Sequence, residues 1–178
     1  MGKESSKLKS KVFVRHVKEA DCDDIFIWRN NETTRNMSLS SDILLYEEHM
    51  KWFKKILADP NEVFLFFEDS LVKLKLGIVR FELNMDKGTG LVSINLSPES
   101  RGKSYAKPCL NAAIKELRMN FHSCHTLFAE IKNDNIPTPY LVFDSANEQY
   151  VESFVINEKI ILEARRFSVS LGAKFVLV

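Results

Sequence analysis

Residues 91–114 read LVSINLSPESRGKSYAKPCLNAAI, and this stretch decides the fold. "LVSINL" is an apolar run of strand character, and from Lys103 to Phe121 the apolar residues recur at helical spacing. Between the two, Arg101, Gly102, Lys103, Ser104 and Ala106 make a turn of small and basic residues. A helix start exposes unpaired backbone N–H groups and the positive end of the macrodipole, so it attracts anions, phosphate above all. Small residues let a ligand reach the main chain, and Lys or Arg adds formal charge. A strand, a phosphate-binding turn and a helix are the expectation.

Working outward, "KVFVRHV" alternates and reads as a strand from Lys11 to Val17. Asp21 is a suitable N-cap for a helix through "DDIFIWRNN", ending near Asn31. "ETTRNMSLSSD" reads as an irregular loop long enough to carry function. "YEEHMKWFKKILADP" places Met50, Phe53, Ile56 and Leu57 on one helical face and stops at Asp59-Pro60. "EVFLFFEDSLVKLKLGIVRFEL" reads as two strands joined around Glu68-Asp69-Ser70. On the C-terminal side come a strand in "CHTLFAEIK", a short helix in "IPTPYLVFDSA" and a hairpin turning at Asn157-Glu158. This order predicts an α/β (α+β) domain with a mixed, mostly antiparallel central sheet flanked by helices. One such domain is expected over residues 11–178, after a flexible segment over 1–10.

Composition narrows the function classes. The chain has 178 residues and a formal net charge of +1, so there is no overall electrostatic footprint for nucleic acid or an anionic membrane. Thirteen Phe against six Gly and five Pro indicate a packed fold rather than disorder. Cys22, Cys109 and Cys124 are widely spaced and odd in number, which suits a reducing compartment and neither a disulfide framework nor a tight metal site. His16, His122 and His125 have no ligand spacing with Cys124 or a carboxylate, so no metal is expected. With no apolar signal core or spanning segment, a cytoplasmic protein is the expectation.

The element order and the turn together resemble the GNAT superfamily of acyl-CoA-dependent N-acetyltransferases, over nearly the whole chain from about Val12. The family signature after its fourth strand is Arg or Gln, two residues, Gly, one residue, then Gly or Ala. Here Arg101, Ser104 and Ala106 take those places, with serine for the central glycine. The resemblance implies acetyl-CoA as acyl donor. Its pyrophosphate would be held by main-chain groups of Arg101, Gly102, Lys103, Ser104, Tyr105 and Ala106, and its thioester would lie along Ile94 and Leu96 of a splayed strand. "LFAEIKNDNIPTPYLVF" resembles the next strand and helix of the family, with Asn135 near the pantetheine arm. The family's tyrosine, seven residues after that Asn, protonates the departing thiolate. Val142 stands there, and Tyr140 is the candidate in its stead.

The acceptor side also bears a resemblance. "WRNNETTRNMS" followed by "YEEHMKWF" is similar to GNAT enzymes that acetylate nucleotide-linked amino sugars, as in pseudaminic-acid-type pathways of surface polysaccharide. It implies a small amine acceptor such as a UDP-amino sugar, and allows a homodimer. Arg29 and Arg35 suit a diphosphate or carboxylate through their guanidinium forks. Trp28 or Trp52 suits a sugar or uracil ring, and Asn30 completes the motif. The alternative reading of Trp52 is a helix's buried stripe. His49 is a candidate general base because its ordinary pKa lies near neutrality. Glu82 and Glu130 are alternatives, and alternation sets Glu82 on the face of Arg80, opposite Phe81. Two further functions stay open: acetylation of peptide or protein N-termini, and a GNAT-like module that binds acyl-CoA without chemistry.

Overall fold

The computed structural model describes residues 12–38, 40–124, 126–129 and 174–177. In chain order these form β1 (Val12–His16), a 3-10 turn (Glu19–Asp21), α1 (Cys22–Asn30), α2 (Glu32–Asn36) and α3 (Tyr46–Ala58). Then come β2 (Glu62–Asp69), β3 (Leu74–Asn84), β4 (Thr89–Leu96), a 3-10 turn (Pro98–Ser100), α4 (Ala106–Asn120), β5 (Thr126–Ala129) and β6 (Lys174–Leu177). The strands make one sheet whose spatial order is the sequence order. Pairing is antiparallel from β1 to β4, then parallel from β4 to β5 and from β5 to β6. The expected α/β architecture, mixed and mostly antiparallel with flanking helices, is the observed one.

The apolar run of β2 explains the layering. Alternation sends Val63, Leu65 and Phe67 to one face, where they pack with Cys109, Leu110, Ala113 and Leu117 of α4. Phe64 and Phe66 go to the other, against Ile25 and Trp28 of α1 and Phe53 and Ile56 of α3. A strand covered on both faces has no polar side to show, hence the near-continuous hydrophobic run. Burying one such Phe stabilises by about 1.5–3 kcal/mol. A surface ion pair such as Lys75–Asp24 is worth about 0–1 kcal/mol, so the two cores set the layers and the ion pairs trim their edges.

Local structure departs from expectation where side chains compete with periodicity. The segment expected to be a loop after Asn31 contains α2, one short helix with no buried residue. The turn joining β2 to β3 spans Ser70 to Lys73, later than expected, because Asp69 stays in the strand. There its Oδ1 accepts from the Leu71 and Val72 amides, and Lys73 takes φ +56°. α4 starts at Ala106 rather than Lys103, since Gly102 and Ser104 both adopt left-handed φ, +70° and +63°. β6 was not anticipated. The helix expected in "IPTPYLVFDSA" and the hairpin after it lie outside the described residues.

One irregularity positions the site. Phe67 pairs with Gly77 and Glu68 with Lys75, leaving Leu76 as an extra residue on β3. The Leu76 carbonyl accepts from the Ser97 amide (2.9 Å) and the Ser100 hydroxyl (2.6 Å), and the Lys75 carbonyl from the Ser97 hydroxyl (2.7 Å). Ser97 and Ser100 are fully buried. The turn after β4 is therefore moored to the bulge of β3.

Candidate active site

The end of β4 and the turn behind it form the candidate coenzyme side. Because Ser97 donates to Leu76, the antiparallel pairs Gly77–Leu96 and Val79–Ile94 are the non-hydrogen-bonded ones of the ladder. The main-chain groups of Ile94 and Leu96 consequently face away from β3, toward the β5 side. Among the described residues β5 pairs with β4 only over Thr89–Leu91, short of Ile94 and Leu96. Beyond them the turn presents Gly102, Lys103 and Ser104, each largely exposed, directly before the α4 N-terminus. Gly102 has open space where a Cβ would stand. The motif's Ala106 is buried against the core beneath.

Two residues of the turn aim their side chains away from it. Tyr105 packs against the α4-side core, and its hydroxyl donates to Asp69 Oδ2 (2.9 Å). Arg101 folds back under β4. Its Nε and Nη2 donate to the Leu96 carbonyl (3.2 and 3.1 Å), Nη1 to Asn31 Oδ1 (2.6 Å) and Nη2 to Thr34 Oγ1 (2.5 Å). Burial pushes the Arg101 guanidinium below its ordinary value, with Glu99 opposing.

The corner between α1 and α2 gathers further expected acceptor residues. Asn30 clamps Leu44 from both sides, its Nδ2 donating to the carbonyl (2.9 Å) and its Oδ1 accepting from the amide (2.8 Å). Arg35 donates to the carbonyls of Asn30 (3.2 Å) and Ser41 (2.9 Å). Arg29 donates to the Ser38 hydroxyl (2.5 Å), and burial lowers its pKa. Among the described residues none of Arg29, Arg35 and Arg101 has a carboxylate at ion-pair distance. Trp28, expected as a platform for a substrate ring, is instead 5% exposed and packs on Phe66 in the core. Trp52 lies at the core's edge under the guanidinium of Arg80, 5.8 Å from its ring centre.

His49, the expected base, is sealed. It is 0% exposed, ringed by Phe26, Trp52 and Phe53, and its Nε2 lies 3.2 Å from the Cys22 carbonyl. Nδ1 has no partner. A base must reach the proton it removes, and nothing in this packing gives His49 such reach. The role it does have is energetic. Burial lowers its pKa, against the opposing pull of the Cys22 carbonyl and Asp23. The unfolded chain therefore takes up a proton first as pH falls, so stability is intact above about pH 6.5 and declines below it toward the folded-state pKa. His49→Gln keeps a donor for Cys22 and should abolish that decline. Urea midpoints of both proteins on either side of pH 6.5 measure it.

Glu82 does share a face with Arg80, as alternation required. It is exposed, accepts from Arg80 Nη2 (3.0 Å), and stands across from Leu91, five positions before Leu96. Arg80 is held more firmly by Glu62. Asn135, Tyr140 and Glu130 lie outside the described residues. No group of three or more His, Cys, Asp or Glu among the described residues is arranged to hold a metal, and no described helix is long and apolar enough to cross a membrane. Sequence reasoning missed Asn31, Thr34, Asp69, Ser97 and Ser100. Only Asp69, ahead of a turn, carried a local signal, since Asp caps turn amides.

No family model matches the sequence, and no curated protein sequence matches it. Solved structures do. The spermidine N-acetyltransferase from Vibrio cholerae in complex with CoA and spermine aligns with a TM-score of 0.66 and 20% identity, over 82% of this chain and 88% of that one. A domain from Methanocaldococcus jannaschii aligns at 0.61 and 20%, over 74% and 84%. The fold of this chain is the GNAT-like α/β fold of N-acetyltransferases.

Proposed function

We propose that the protein is an acetyl-CoA-dependent N-acetyltransferase acting on the primary amine of a small acceptor, with a nucleotide-linked amino sugar as the acceptor class. The observation that carries the reading is the end of β4. Main-chain groups of Ile94 and Leu96 face the β5 side, and the left-handed Gly102–Ser104 turn opens onto the α4 N-terminus. That is the chemistry of a pyrophosphate cradle beside an extended thioester arm. The similarly folded Vibrio cholerae enzyme was crystallised with CoA. In the reaction the amine nitrogen attacks the thioester carbonyl, the C–S bond breaks and the N–C bond forms. The ammonium proton leaves through water, and the thiolate is reprotonated. Backbone N–H groups of β4 polarise the carbonyl. His49 takes no part, and Glu82, on β3 across from Leu91, stands too far from the end of β4 to act directly.

On the acceptor side, Arg29, Arg35 and Arg101 bring three guanidiniums whose hydrogen-bond partners among the described residues are neutral oxygens. Unneutralised cations favour a phosphate or carboxylate on the acceptor and repel a polyamine. The test has two steps. Acetyl-CoA at a hundred times its Kd should stabilise the protein by about 2.7 kcal/mol. Ser104→Gly, by relieving φ +63°, should add about 1 kcal/mol to the unliganded fold while keeping that shift. Thiol release is then followed with a UDP-amino sugar, spermidine and a peptide with a free N-terminus. Turnover with the first supports the reading. Turnover with the peptide alone moves the acceptor to protein N-termini, and binding without turnover on any amine leaves an acyl-CoA-binding module.

A further inference from the structure

We infer that Arg101 is a positioning residue that couples the coenzyme turn to the α1–α2 corner, and that its side chain is not a ligand of the pyrophosphate. This rests on the acetyl-CoA reading above. The guanidinium has five donors in a rigid plane, and its Nε, Nη1 and Nη2 are all engaged by protein oxygens. The Leu96 carbonyl takes two of these bonds, and Asn31 and Thr34 take the others. Thr34 Oγ1 in turn lies 3.4 Å from Asn95 Oδ1, a second, longer link between corner and strand.

The partners are telling. Leu96 is the last residue of β4, and its main chain faces the side on which the thioester arm is expected. Asn31 is the extended residue, φ −58° and ψ 133°, that ends α1 and starts α2. Arg101 thus grips the joint between two helices with one end of its fork and the end of the coenzyme strand with the other. α2 is five residues long and buries none of them, so no core of its own holds it. A helix that short is marginal without tertiary support. Arg29, Arg35 and Ser38 bond within the segment 29–41 and so tie the corner only to itself. Arg101 and Thr34 each tie the corner to β4, and a ligand that settles against Leu96 is felt at the corner through them.

The experiment measures acetyl-CoA affinity by calorimetry and amide exchange over residues 31–38, with and without acetyl-CoA. The parent is compared with Arg101→Lys and Asn31→Ala. Lys keeps the charge and loses the fork; Ala removes a partner 70 positions away in sequence. In the parent, acetyl-CoA should slow exchange at the corner. In both variants that slowing should shrink about tenfold, the worth of a charge-assisted hydrogen bond, while affinity changes by less than about threefold. Agreement between the two variants is the mark of coupling, because a pyrophosphate ligand has no reason to share a phenotype with Asn31. Corner protection that persists in both variants overturns the inference, as does an affinity loss confined to Arg101→Lys. A parent that binds no acetyl-CoA overturns the acetyltransferase reading itself, and this inference with it.

Discussion

Gly77→Ala is expected to destabilise the protein by about 3 kcal/mol or more. Two penalties act together. The residue adopts φ +147°, a conformation that L side chains rarely adopt, and a Cβ there would stand 2.4 Å from the Asn95 carbonyl oxygen and 2.7 Å from the Leu96 Cα. Both are main-chain atoms of β4, so no rotamer change relieves the clash and β3 must move off β4. For a chain of this size the loss corresponds to a melting temperature roughly 6–12 °C lower. Gly102→Ala is the control. It too has positive φ, +70°, but nothing within 4 Å of its Cβ, so only strain remains, about 1–2 kcal/mol. Thermal unfolding of the two variants separates crowding from conformation. Equal losses would mean that the close approach of β3 to β4 is not what Gly77 serves.

Asp69→Ala should cost about 2–3 kcal/mol, by leaving the part-buried Leu71 amide and Tyr105 hydroxyl without their acceptor, an orphaned donor being worth about 1–3 kcal/mol when fully buried. The Val72 contact, at 3.4 Å, adds little. Tyr105→Phe removes one bond and leaves the carboxylate otherwise capped, so it should cost about 1 kcal/mol. Asp69 also carries a pH signature. Burial alone would raise its carboxyl, but the Leu71 amide, the Tyr105 hydroxyl and the Val72 amide outweigh burial and hold it below its ordinary value. A carboxyl depressed in the folded state contributes stability that is present above about pH 3.8 and disappears as pH falls through the folded-state value. Acid unfolding of Asp69→Asn should lack that component. The effect reaches the candidate site, because Tyr105 is the cap residue of α4 and its tether sets where the 101–104 turn sits.

Where the sequence was legible, the signal was periodic or conformational. The run of β2 is apolar at every position from Val63 to Phe67, which only a doubly covered strand explains, and the two cores lie on its two faces. Glu82 and Arg80 share a face because alternation admits nothing else. Ser104 stands where the family has glycine, and its φ of +63° shows why glycine suits the place. The GNAT-like fold was readable from element order together with the 101–106 turn.

Periodicity names a face without naming what covers it, and there the reading failed. Trp28 and His49 have the composition of a ligand site, yet packing of α1 and α3 against the sheet closes them into the interior. Arg101 reads as a phosphate ligand by position, but its partners Asn31 and Thr34 lie 70 and 67 residues away, beyond any local pattern. The bulge at Leu76 likewise exists only as a mismatch between two strands, and it anchors Ser97 and Ser100. Local sequence determined which segments became strands, helices and turns, because backbone preference and amphipathic spacing act over a few residues. The tertiary structure alone decided which polar side chains face solvent and which bind one another. Burial penalises an unpaired polar group wherever its partner happens to lie along the chain.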